Sequence, residues 1–109
     1  MTVCLSIPEG FCPSDSVSVG ETFRVQAIIT DLDGDSVITG VNTISLYNPD
    51  RSLNQAKTVP TLTEHGVWWV DFLTLATDPY GCYLVVWRNV DAGLTSIGKM
   101  KVFIDDPPV

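Results

Sequence analysis

Thr22-Phe23-Arg24-Val25-Gln26-Ala27-Ile28-Ile29-Thr30 alternates in character, with Phe23, Val25, Ala27 and Ile29 on one face and Arg24 and Gln26 among those on the other. Period-two alternation of this kind places one face of an extended strand against a core and leaves the other toward water. The same period recurs on both sides of this stretch, in short runs separated by Gly, Pro, Asn and Asp.

Downstream, Asp31-Leu32-Asp33-Gly34-Asp35 turns the chain into a strand from Val41 to Tyr47, which Asn48-Pro49-Asp50 closes. Proline there presets the turn dihedral. The pattern weakens from Arg51 to Thr63, and Pro60 makes any strand in it short and peripheral. After Glu64-His65-Gly66, the run Val67 to Leu73 puts Trp68, Val70 and Phe72 on one face. Asp78-Pro79-Tyr80-Gly81 turns into Cys82 to Asn89, where Tyr83, Val85 and Trp87 oppose Leu84 and Val86. Both faces are apolar, which predicts a central strand. Asp91-Ala92-Gly93 reverses into Thr95 to Ile104, with Met100, Val102 and Ile104 inward and Lys99 and Lys101 outward.

Upstream, Thr2 to Ile7 and Ser16 to Val19 are extended pieces interrupted by Pro8-Glu9-Gly10 and Cys12-Pro13, which reads as a split first strand at a sheet edge. The organisation expected is an N-terminal extended segment over 1–15, a sandwich over 16–104 and a Pro-rich tail over 105–109.

With 109 residues, 45% hydrophobic and 17% charged, the chain holds one packed core. The formal charge of −7 repels phosphate backbones and anionic lipid surfaces, so neither nucleic acid nor membrane is an expected partner. No apolar run approaches the ~18–20 residues of a bilayer span, and no export signal is read in Met1 to Gly10. Three cysteines, Cys4, Cys12 and Cys82, cannot all pair within the chain, although a Cys4–Cys12 bridge stays open.

About seven short strands without helices predict an all-β fold, an immunoglobulin-like antiparallel β-sandwich, with a small barrel as the alternative. The order of turns resembles immunoglobulin-like modules of bacterial, archaeal and viral origin. The segments that carry the likeness are Val17 to Phe23, Asp31 to Gly34, Tyr47 to Asp50, Gly66 to Trp68, and Gly81-Cys82-Tyr83, spread over residues 16–104. The sequence departs from antibody-type domains: no cysteine lies in Thr22 to Thr30 to partner Cys82, and Val41 to Tyr47 lacks a tryptophan. A module of this size that begins at its own methionine resembles small stand-alone immunoglobulin-like virion proteins of tailed phages. That likeness implies a virion location, with assembly in the host cytoplasm, and docking on other virion proteins or on further copies of the chain. A cell-surface adhesion or carbohydrate-binding module, extracellular in location, is the alternative.

No cofactor and no catalytic residue is expected. Asp31, Asp33 and Asp35 alternate and could offer oxygen ligands to calcium. Their glycine, however, is fourth rather than sixth, and no carboxylate stands where the calcium loop needs its distal ligand. The simpler reading is a soluble Asp-Gly turn. His65, the one histidine, falls in a turn, and the sequence places no obvious cation beside Cys82 to activate its thiol. Trp69 is expected to be exposed, while Trp68 and Trp87 go inward. Leu84, Val86, Ile97 and Phe103 would all point away from the core, and with Trp69 they are the candidate contact residues. The bland reading of the same pattern is a covering loop, or a bulge that exchanges the faces.

Overall fold

A computed structural model describes residues 2–6, 16–18, 20–75 and 77–105. Nine strands follow one another, with no helix among the described residues: β1 (Thr2–Ser6), β2 (Ser16–Ser18), β3 (Thr22–Thr30), β4 (Val41–Tyr47), β5 (Leu53–Lys57), β6 (Thr61–Leu62), β7 (Trp68–Leu73), β8 (Gly81–Asp91) and β9 (Leu94–Asp105). They form a four-stranded sheet ordered β1-β3-β7-β6 and a five-stranded sheet ordered β2-β9-β8-β4-β5. The alternation read from the sequence faces these sheets together. Phe23, Val25, Ala27 and Ile29 of the first sheet and Tyr83, Val85 and Trp87 of the second are all fully buried. Each such valine, isoleucine or phenylalanine side chain contributes roughly 1.5–3 kcal/mol relative to exposure. Phe23 and Phe72 are cross-strand partners whose ring centroids lie 5.6 Å apart in a tilted arrangement.

The nine strands exceed the seven expected for two reasons. The first strand is split as the sequence suggested: β1 borders the first sheet, antiparallel to β3, whereas β2 borders the second, parallel to β9. The weak Arg51 to Thr63 stretch supplies two short edge strands, β5 and β6, one for each sheet. The Pro8 and Pro13 breaks, the Cys12 thiol and the tail beyond Asp105 lie outside the described residues. β9 runs one residue past the Ile104 end read from the sequence, because Ser18 of β2 pairs with Asp105.

The two sheets close on one side where β1 crosses β9. A Cβ at Gly98 would sit 2.7 Å from Val3 Cγ1 and 2.9 Å from the Val3 carbonyl oxygen. Glycine is what lets the two backbones approach. At the start of β8 the Tyr83 hydroxyl donates to the Pro79 carbonyl and fastens the loop onto the sandwich. Burial, with Asp78 and Asp50 nearby, pushes that phenol above its ordinary pKa, so it stays protonated and donating.

At the opposite end the inner face of the second sheet turns polar. Asn42, Asn89 and Ser96 form a buried row across β4, β8 and β9. Asn42 Oδ1 accepts from Trp87 Nε1 at 2.9 Å and from Asn89 Nδ2 at 3.1 Å. Asn89 Nδ2 also reaches the Thr39 carbonyl at 3.2 Å, and Trp68 Nε1 reaches that of Val37 at 3.0 Å. These bonds seat the Val37 to Gly40 approach to β4 on the end of the core, since an indole N–H buried without an acceptor would be costly.

Candidate interaction face

The residues singled out in the sequence fall on both outward faces of the sandwich. On the second sheet, strand alternation sends Leu84 and Val86 of β8 and Ile97 and Phe103 of β9 away from the core. No bulge interrupts the β8–β9 ladder, which runs in register from Gly81↔Ile104 to Asp91↔Leu94. The exchange of faces that a bulge would cause does not occur there, and the register shift that does occur lies between β4 and β5.

The four side chains are not equally open. Ile97 and Phe103 are 54% and 47% exposed, whereas Leu84 and Val86 are half-buried. The register accounts for this. Leu84 stands between Tyr47 and Lys101, and Val86 between Ser45 and Lys99. Directly opposed side chains in a sheet have Cβ atoms about 4.5–5.5 Å apart, close enough for lysine methylene stems to lie along their apolar neighbours. On the rest of this face Phe103 faces Cys82, Ile97 faces Arg88 and Val41 faces Val90. Exposed Leu53 continues it onto β5 opposite Tyr47. The face is therefore an apolar strip studded with three cations, Arg88, Lys99 and Lys101. None of them forms a salt bridge with a described side chain. Among the described side chains, the outward positions of β4, β8 and β9 carry no acid.

Trp69 requires a correction. It is half-buried rather than exposed, because the Arg24 guanidinium lies 3.7 Å from its ring centroid. Arg24 in turn makes a bidentate pair with Asp71, Nε to Oδ1 at 2.8 Å and Nη2 to Oδ2 at 3.1 Å. The β3–β7 register sets Arg24 opposite Asp71 and Gln26 opposite Trp69, so the ring is Arg24's diagonal neighbour. The hydrogen bonds to Asp71 raise the Arg24 pKa further above its ordinary value. Cation, ring and carboxylate thus neutralise and cover one another on the outward face of the first sheet.

Asp31, Asp33 and Asp35 share one loop, yet one carboxylate is already engaged by the loop itself. Asp31 Oδ1 accepts from the backbone N–H of Asp33 at 2.9 Å and of Asp35 at 3.0 Å. No group of three or more metal-ligating side chains occurs among the described residues. His65 is 83% exposed on its turn, 3.5 Å from the Glu64 carboxylate. Cys4 and Cys82 are free thiols, and Cys82 is half-buried beside Phe103 on the cationic face. A groove of about 550 Å³ opens between β5 and the β7–β8 connection. Asn54, on its wall, is tied to Asn48 and Asp78.

No family model matches the chain, and no curated protein matches it. Among solved structures it is similar to the alpha-2-macroglobulin of E. coli in its native conformation, with a TM-score of 0.71 at 15% identity. The fold is immunoglobulin-like. The superposition covers 95% of this chain and 6% of the macroglobulin, so the whole sandwich corresponds to a small part of that protein. At this identity the likeness concerns architecture, a scaffold that hosts many unrelated roles.

Proposed function

We propose that the chain is a non-enzymatic structural module that docks on other protein subunits through the outward face of its five-stranded sheet, as a virion component of a tailed phage. The observation that carries the docking role is the apolar strip of Leu84, Val86, Ile97 and Phe103 on that face. Apolar side chains gathered on one outward face favour a partner that removes them from water. The phage setting, on the capsid or at the head-to-tail neck, rests on the resemblance carried by the turn motifs of residues 16–104. The macroglobulin likeness supports a bacterial-type immunoglobulin-like module and adds no activity.

The solvated His65 supports the non-enzymatic reading, since a general base is held by a second group and aimed at a cleft. The carbohydrate-binding alternative would use Trp69 and the aspartate loop. Arg24 already occupies one face of that ring, and Asp31 is engaged by its own backbone.

The test mixes the purified chain with candidate head and neck proteins and measures mass by light scattering after gel filtration. Val86→Glu or Phe103→Glu is expected to abolish incorporation into particles while leaving the melting temperature within a few degrees. Incorporation that survives both changes, or a wild-type chain that ignores every virion protein, would overturn the reading. Glycan binding that Trp69→Ala removes would establish the alternative.

A further inference from the structure

The charge on the docking face is opposite in sign to that of the chain as a whole. Three of the six Lys and Arg residues stand on it, in a protein with 13 Asp and Glu. A strip with Arg88, Lys99 and Lys101 beside its apolar residues fits an apolar projection flanked by carboxylates. The chain carries such a projection. In the β3–β4 loop Leu32 is 86% exposed, with Asp31 and Asp33 on either side and exposed Asp35 beyond Gly34. This end of the sandwich also holds Glu64 and Asp91 on neighbouring turns. The Thr39 hydroxyl donates to Asp91 at 2.9 Å, and a Cβ on Gly66 would lie 3.2 Å from Ser36 Cβ. The loop is set before any encounter, since Asp31 N–H donates to the Asp35 carbonyl at 2.9 Å and Gly34 N–H to that of Asp31 at 3.1 Å. A preset loop loses less conformational freedom on binding.

We infer that the cationic, apolar face of one copy receives the Leu32 loop of a second copy. Leu32 enters the apolar strip between β8 and β9, and Asp33 and Asp35 meet Lys99, Lys101 and Arg88. The inference rests on the docking role proposed for that face and names the occupant. Two identical faces meeting each other would set lysines against lysines, so charge favours the head-to-tail arrangement. Such a contact leaves one face and one loop free at each step and adds copies in a row, closing only if the rotation between them allows a ring. A loop tip on a sheet is a small contact, below ~1,200 Å² in total, so association is weak in dilute solution and strengthened where copies are arrayed.

Sedimentation velocity of the chain alone, over a wide concentration range at low and high salt, tests it. Wild type is expected to grow beyond dimer with concentration, and high salt should weaken the growth at least tenfold. A face variant (Lys99→Glu with Lys101→Glu) and a loop variant (Asp33→Lys with Asp35→Lys) should each stay monomeric. Mixed in equal amounts the two should associate again, because each offers the other a complementary surface. All four positions are exposed, and circular dichroism melts confirm that the variants fold. A wild type that remains monomeric at the highest concentration overturns the inference, as does a loop variant that associates like wild type. If wild type is monomeric and Val86→Glu still abolishes incorporation into particles, self-docking fails while the docking role of the face stands. If Val86→Glu and Phe103→Glu change neither measurement, both fail.

Discussion

Arg24 and Lys99 both stand on outward faces of strands in the same sandwich, and their surroundings differ. Arg24 stacks on Trp69 and grips Asp71 with two hydrogen bonds, so the first sheet's outward face is electrically closed on itself. Lys99 faces Val86 across the β8–β9 ladder, with no acid among the outward positions around it. One face spends its polar groups on the fold, and the other keeps them available. The difference separates a cation that is paired within the domain from cations that form no salt bridge within it.

Trp69→Ala should show the largest effect in a stability measurement, about 2 kcal/mol in urea denaturation, because it removes a half-buried aromatic and the platform under Arg24. Asp71→Asn should cost about 1 kcal/mol, discounted for the partial exposure of both partners, and high salt should shrink the loss. On the other face Lys99→Ala with Lys101→Ala should cost only about 0.5 kcal/mol of unfolding free energy, from the loss of the stems that lie along Val86 and Leu84. A lysine pair that costs as much as Asp71→Asn would erase the distinction between the faces. The smallest effect is expected at Asp50 in the β4–β5 turn, whose carboxylate the Ser52 hydroxyl and backbone N–H hold below its ordinary pKa. A depressed folded-state pKa gives stability that is present above the unfolded carboxylate's pKa of about 3.9 and is lost as pH falls through the folded value. Asp50→Asn should therefore flatten the acid limb of the stability profile, and an unchanged limb would show that the turn's bonds do not couple to folding.

The two faces also differ in how much of them could be read beforehand. Outward placement of Leu84, Val86, Ile97 and Phe103 follows from parity within single strands, which local alternation reports directly. The covering of Trp69 depends on how β3 registers against β7, a relation between residues 45 positions apart in the chain that no local pattern carries. The half-burial of Leu84 and Val86 needed the same kind of information, namely which lysines stand opposite. The sandwich itself was legible because each turn announces itself by Gly, Pro or Asp. The split first strand was legible as a break, yet the parallel pairing of β2 with β9 was not. The Tyr83 to Pro79 bond has a local signal in the sequence, a tyrosine two residues into a central strand, close after a proline turn.

That parallel pairing has a mechanical consequence. Tension between the N-terminal and C-terminal strands of a sandwich can open a ladder from one end or slide it lengthwise. β2 and β9 run in the same direction, with Ser16, Val17 and Ser18 beside Phe103, Ile104 and Asp105. A pull backward on β2 and forward on β9 therefore loads their ladder in shear, with its rungs strained together instead of one after another. The strand pair nearest the C-terminal end would act as a short clamp against stretching.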